Sequence, residues 1–285
     1  MRNNNQIFIS ISLVIYNYKE KDFIDLIVSL SKSIAFLIEN IDAKVILYII
    51  DNNEKKSSEE IIKSKLKDLG YKYKNVYIKT YDNEGYGHAH NLIINNDNVK
   101  SDYHIVCNPD IIFFEDTLYE AIKFLEVKNN SEVALLTPAI YDEDKILQKM
   151  CKRNPTFMRV FARRFPIPFM KKKLYTFAQQ YEYADKDYTK EIVNVEFCTG
   201  CFMVFRTKVL KFIKGFDERF FMYFEDADIT RKVLVRGYET MYLPEFKVIH
   251  KWERANKTSK KFTIIAIKSA FKYFWKWKCN YFYKN

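Results

Sequence analysis

The first half of the chain alternates two hydrophobic periods, and this restricts the possible folds more than anything else in the sequence. A β-rich run, Ile7 to Ile15, broken only by Ser10 and Ser12, is followed by Phe23, Ile27, Leu30, Ile34 and Leu37 at helical spacing, then by a β-branched run from Lys44 to Ile50. Ile61, Ile62, Leu66 and Leu69 mark a second helix, stopped by Gly70. Asn75 to Thr80 reads as a strand, Tyr86 to Asn95 as a helix, Tyr103 to Cys107 as a strand and Leu118 to Leu125 as a helix. Strands without polar alternation are buried on both faces, as happens when helices cover both sides of a parallel sheet. The expectation is an α/β fold built on a Rossmann-like, mostly parallel sheet.

In such sheets ligands collect at the carboxyl ends of the strands. Three polar clusters fall there: Tyr16-Asn17, Asp51-Asn52-Asn53 and Asn108-Pro109-Asp110. One such cluster is ordinarily a turn former or a helix cap. Three on one rim point to a binding site. No Gly-x-x-x-x-Gly-Lys loop is present to cradle phosphate, so a bound diphosphate would need a metal ion on oxygen ligands, with Asp110 the candidate. His250, at the end of the last strand, reads on its own as structural.

The densest acidic stretch is Phe224-Glu225-Asp226-Ala227-Asp228, where Ile229, Val233 and Leu234 announce a helix. Carboxylates suit a helix N-terminus through its dipole alone. Here, however, they follow the aromatic run Phe220 to Phe224, which desolvates them and fits one of them for general-base work. Arg231 is expected to pair with Asp228 one turn back.

Lys and Arg number 47 against 36 Asp and Glu, a net charge of +11, and aromatics make up 17%. The excess is local. The first 137 residues are close to balanced, whereas Lys149 to Lys190 carries Arg153, Arg159, Arg163, Arg164 and Lys171 to Lys173 among Phe157, Phe161, Phe165, Phe169 and Tyr175. Lys257 to Asn285 carries eight lysines interleaved with Trp275, Trp277 and other aromatics. That tail reads equally as an interfacial helix for anionic lipid and as a helix packing its rings on the domain. Nothing resembles a nucleic-acid module, so no nucleic-acid partner is expected. No apolar run reaches the roughly 18 residues of a membrane span, and Ile7 to Tyr16 reads as a strand, not an export signal. Five cysteines, an odd number, suit free thiols in a reducing, cytoplasmic setting. Cys198 and Cys201 have metal spacing but no second pair. Val193 to Arg206 resumes regular structure, and Tyr238 to Leu243 and Phe246 to Ile249 read as two closing strands.

Six ordered blocks carry a family resemblance: Val14-Ile15-Tyr16-Asn17, Ile49 to Asn53, Asn83-Glu84-Gly85-Tyr86-Gly87 leading to Asn91, Asn108-Pro109-Asp110, Thr199 to Met203, and Gly215 to Asp226. Over roughly residues 7 to 252 the chain resembles family 2 glycosyltransferases, most closely a rhamnosyltransferase-like branch. The resemblance implies the GT-A fold: the Rossmann-like sheet plus a small second sheet, here with a C-terminal helical tail. It divides the chain into a 1–255 transferase domain, with a 1–137 nucleotide half and a 138–255 acceptor half, and a 256–285 basic extension. It further implies inverting transfer of a sugar from a nucleotide diphosphate to an acceptor hydroxyl.

By the same resemblance Tyr16, Asn17, Asp51, Asn52, Asn83 and Asn108 contact the donor, Gly85 and Gly87 let the backbone approach it, and Asn91 fixes that loop. Asp110 and His250 would hold Mg²⁺ or Mn²⁺, Asp226 would be the catalytic base, and Glu225 and Gly200 would support it. Asn108 stands where the family's metal motif has its first aspartate. The branch suggests dTDP-rhamnose as donor and a lipid-linked glycan as acceptor, in bacterial surface polysaccharide synthesis at the inner face of the plasma membrane. A UDP-hexose or UDP-N-acetylhexosamine transferase, or a non-catalytic polyanion binder on this scaffold, are the alternatives.

Overall fold

The computed structural model describes residues 6–16, 18–53, 59–68, 76–157, 160, 179, 181–251 and 260–278. Asn17, Cys279 and all the basic residues named between 159 and 173 lie outside these residues. Strands β1 (Ile7–Ile15), β2 (Ala43–Asp51), β3 (Val76–Thr80) and β4 (Tyr103–Cys107) run parallel in the order β3-β2-β1-β4. Helices α1 (Glu20–Asn40), α2 (Glu59–Asp68) and α3 (Tyr86–Ile94) connect them. Both faces of β1 are covered from Ile9 to Ile15. Ile9, Ile11, Leu13 and Ile15 pack with Phe23, Leu26 and Leu30 of α1, while Val14 packs with Ala89 and Ile93 of α3.

The second half adds β5 (Ile111–Phe113), α4 (Thr117–Glu126), β6 (Val133–Tyr141), β7 (Leu147–Gln148), β8 (Ile192–Val193) and β9 (Phe202–Arg206). After these come α5 (Thr207–Phe212), α6 (Glu225–Leu234), β10 (Glu239–His250) and α7 (Lys260–Trp277). Strand β9 enters antiparallel between β4 and β6, β10 runs parallel to β6, and β5 closes the edge antiparallel to β10.

Among the described residues the small second sheet expected from the sequence is not separate, because their ten strands belong to one sheet. Nor are there two closing strands. Strand β10 runs through both, with a register shift between Leu243 and Lys247. Pro244 lies in that shift and has no N–H for the ladder, so the sequence reads as a break where the backbone makes only a bulge.

Candidate active site

Register places the rim. Ile15 pairs with Asp51 and Leu13 with Cys107, so Tyr16, Asp51-Asn52 and Asn108 emerge side by side from three parallel strands. Asp51 is fully buried and accepts a bond from the Asn53 N–H at 3.1 Å. Asn52 is also buried, and its Oδ1 has no hydrogen-bond partner. Tyr16 is 52% exposed at the mouth. A cavity of about 170 Å³ opens beside it, lined by Tyr16, Tyr18, Lys19, Asp22, Asn108 and Asp110.

Asp110 and His250 meet for a topological reason. Antiparallel pairing sets Ile111 opposite His250, and the preceding Asp110 then brings Oδ2 to 3.0 Å from His250 Nε2. Asp110 Oδ1 is buried without a hydrogen-bond partner. Burial alone would lower the His250 pKa, but Cys201 and the bond to Asp110 reverse this and raise it to about 10. Asp110, with an unused oxygen, and His250, once its Nε2 gives up the proton shared with Asp110, would suit Mg²⁺ or Mn²⁺ drawing its remaining ligands from elsewhere. Among the described residues no group of three or more His, Cys, Asp or Glu forms a complete metal cage.

The acidic stretch begins α6, as the sequence suggests, but through an unusual backbone. Tyr223 and Phe224 both have left-handed conformations, with φ of 70° and 69°. For aromatic residues this is strained and needs support from packing. Phe224 stacks near Tyr273 and Phe274 of α7, at centroid distances of 5.5 and 6.1 Å. The strained turn aims Asp226 at Gly200, whose N–H bonds Asp226 Oδ2 at 3.2 Å, while the Ala227 N–H bonds Oδ1 at 2.9 Å.

A side chain at Gly200 would put Cβ 3.1 Å from Asp226 Cβ. The next residue, Cys201, accepts a bond from the Asn108 N–H at 2.9 Å. The Gly200-Cys201 dipeptide therefore ties the acidic turn to the strand end that carries Asp110.

The two neighbouring carboxyls differ electrostatically. Burial, then the charges of Asp226 and Asp228, push Glu225 well above the ordinary carboxylate range, and its Oε2 has no hydrogen-bond partner. Burial also raises Asp226, but Lys152 and the Gly200 and Ala227 N–H groups oppose the shift. Burial thus favours a proton on Glu225 more than on Asp226, and the close pair titrates as one unit.

The glycine-containing loop packs closely against the 215–224 loop. Gly85 has φ of 114°, and a Cβ there would lie 2.4 Å from the Phe221 carbonyl oxygen; at Gly87 it would lie 2.8 Å from Phe216 Cβ. Both close approaches are to the 215–224 loop. Asn83 accepts a bond from the Gly85 N–H at 3.3 Å. Asn91 is buried and clamps the same 215–224 loop, accepting from the Phe216 N–H at 2.9 Å and donating to the Phe216 carbonyl at 2.9 Å.

The expected Asp228–Arg231 pair does not form. Asp228 is fully buried and is taken by Lys276 Nζ at 2.7 Å and Trp277 Nε1 at 2.7 Å, and Arg231 lies over the Trp277 ring at 4.6 Å. The cause is α7, whose ammonium and indole groups fill the space beside α6.

Two further contributors carry no distinctive sequence signal. Tyr86 donates its hydroxyl to the Gly200 carbonyl at 2.6 Å and so holds the peptide that faces Asp226. Beneath the rim, Ser12 Oγ bridges His90 Nδ1 at 2.7 Å and His104 Nε2 at 2.9 Å, and burial keeps both imidazoles neutral. Cys107, Cys151, Cys198 and Cys201 are free and buried.

The sequence profile described as "Glycosyltransferase like family 2" matches residues 10–266. The chain belongs to the family 2 glycosyltransferases. Rhamnosyltransferase WbbL of Escherichia coli (strain K12) is 30% identical over 197 residues, 66% of this chain and 69% of that protein. The N-acetylglucosaminyl-diphospho-decaprenol L-rhamnosyltransferase of Mycobacterium tuberculosis (strain ATCC 25618 / H37Rv) is 26% identical over 152 residues, 52% of this glycosyltransferase and 47% of the relative.

Solved structures share the fold. Mannosyltransferase PcManGT from Pyrobaculum calidifontis, in complex with GDP-Man and Mn²⁺, superposes with a TM-score of 0.63 at 11% identity, covering 97% of this chain and 66% of the other. GalNAc-T7 with UDP, GalNAc and Mn²⁺ gives 0.62 at 13% identity, covering 95% and 48%. The fold of this glycosyltransferase is GT-A.

Proposed function

We propose that this glycosyltransferase moves rhamnose from a nucleotide diphosphate, dTDP-rhamnose, to a hydroxyl of a lipid-linked glycan, inverting the anomeric centre, at the inner face of the bacterial plasma membrane. The sugar rests on the rhamnosyltransferase relatives, and the lipid diphosphate acceptor on the name of the mycobacterial one. The observation that carries the reading is the Gly200-Cys201 dipeptide, which links an ionisable Asp226 to the strand end bearing Asp110 and His250.

In this reading Tyr16, Asp51, Asn52 and Asn108 hold the nucleotide end of the donor. Asn83, Gly85, Gly87 and Asn91 fix the loop that frames the sugar. Asp226 takes the proton of the acceptor hydroxyl while that oxygen attacks the anomeric carbon. The sugar–phosphate bond breaks and its electron pair leaves with the diphosphate. Asp110 and His250 would hold Mg²⁺ or Mn²⁺, which would supply neutralisation of the charge developing on the departing diphosphate. The buried Glu225, its pKa raised, leaves its neighbour Asp226 as the base.

A thermal-shift series with dTDP-rhamnose, UDP-glucose, UDP-N-acetylglucosamine and GDP-mannose, each with and without Mn²⁺, tests the donor and the metal together. The reading predicts a selective, Mn²⁺-dependent shift with dTDP-rhamnose. A shift confined to a UDP sugar would replace the donor, and shifts indifferent to Mn²⁺ would remove the metal.

A further inference from the structure

Helix α7 has two working faces. Its inner face is docked: Tyr273 is fully buried and donates to Asn154 Oδ1 at 3.3 Å, Ser269 bonds the Met222 carbonyl at 2.8 Å, and Lys276 and Trp277 hold Asp228. The opposite face carries Ile264, Ile267, Phe271 and Trp275, which are 54, 52, 71 and 86% exposed. Their spacing of three, four and four residues sets them on one stripe. A contiguous stripe of large apolar groups, the tryptophan nearly free of the protein, is not an ordinary solvated face.

The charges around the stripe identify its occupant. Lys260, Lys261, Lys268 and Lys272 on this helix and Lys278 just past its end are all exposed, and no Asp or Glu occurs anywhere from Lys257 to Asn285. Apolar rings in a setting of lysines, with no acid to answer them, match an interface that is hydrocarbon below and anionic above. We infer that the Ile264, Ile267, Phe271 and Trp275 stripe of α7 is a docking surface for an anionic lipid bilayer, on which the helix lies flat.

Because the inner face of the same helix grips the 217–228 loop, the bilayer surface would lie about one helix diameter, roughly 10 Å, from the turn that carries Asp226. That second point rests on the proposed lipid-linked acceptor, whose sugars project from the headgroups. The stripe itself does not depend on it.

Deleting the helix would not be a clean test, since it would strip Asp228 of its partners. Point variants on the outer face avoid this. Full-length protein is sedimented with vesicles of phosphatidylcholine alone and of phosphatidylcholine with 30 mol% phosphatidylglycerol, at low and high salt. The wild type is expected to bind the anionic vesicles and to be released by salt. Phe271→Ser/Trp275→Ser is expected to weaken binding by about tenfold or more, and Lys260→Glu/Lys261→Glu/Lys268→Glu by a comparable factor.

Both variants should keep the wild-type melting temperature and turnover on a water-soluble acceptor, which separates this surface from the transferase reading. Wild-type failure to bind anionic vesicles, or unchanged binding by Phe271→Ser/Trp275→Ser, would overturn the inference. So would a wild-type dimer in sedimentation equilibrium that this variant converts to monomer, since the stripe would then face a second copy.

Discussion

At the strand-end rim, Tyr16, Asp51, Asn52 and Asn108 stand together because three parallel strands end in register. No such local rule places Asp226. Its turn is assembled from α3, the 215–224 loop, the Gly200 peptide and α7, and it contains two strained aromatic residues. The rim is positioned by topology and therefore tolerates change in its surroundings. The acidic turn is positioned by tertiary packing and should fail when distant supports are cut.

The largest expected effect tests that dependence. Tyr273→Ala removes a fully buried ring that supports Phe224, and should cost about 4 kcal/mol of stability, measured by urea unfolding. Tyr273→Phe keeps the ring and should cost less than about 1 kcal/mol. A comparable loss in both would show that the hydroxyl, and not the packing, holds the helix.

The contrast also explains what the sequence reveals. Solid strand runs and polar residues just after them can be read in order, which makes the rim, the parallel half of the sheet and the start of α6 legible. The partners of the acidic turn cannot be read this way. Lys276 and Trp277 reach Asp228 from about 50 residues away, and a lysine-rich, aromatic helix looks the same whether its rings face a protein or a membrane. Here one face does pack on the domain and the other is exposed. The glycines of the Asn83 to Gly87 block are legible as close-approach positions, but only the fold shows that the backbone they approach is Phe221 and the side chain Phe216.

Gly85→Ala comes next in size. It forces an alanine to φ of 114° with its Cβ 2.4 Å from a backbone oxygen. The expected loss is about 3 kcal/mol, with donor affinity falling alongside stability in a thermal-shift titration. Lys276→Met should cost about 2 kcal/mol because it removes the ammonium shared by Asp217 and the buried Asp228 and leaves the two carboxylates facing each other. Adding Asp228→Asn should recover part of that loss in a double-mutant cycle, whereas strict additivity would place the two residues in separate networks.

The smallest effect concerns protons. Glu225 titrates higher in the folded than in the unfolded chain, so the folded state binds the extra proton and stability falls as pH rises from the ordinary glutamate pKa through the raised one. Glu225→Gln removes this dependence. Relative to wild type it should gain about 1 kcal/mol between pH 4 and pH 8, read from melts at both pH values. A variant whose relative stability does not change with pH would mean that Glu225 is ionised in the native protein.

The division between rim and turn is tested most directly by measuring, for Asp110→Asn and Asp226→Asn side by side, donor affinity in Mn²⁺ and the single-turnover transfer rate. The account predicts that Asp226→Asn binds donor within about twofold of wild type and loses about 10²- to 10⁴-fold in rate, whereas Asp110→Asn loses Mn²⁺-dependent donor binding. Near-normal turnover by Asp226→Asn would contradict it, as would equal loss of donor binding in both.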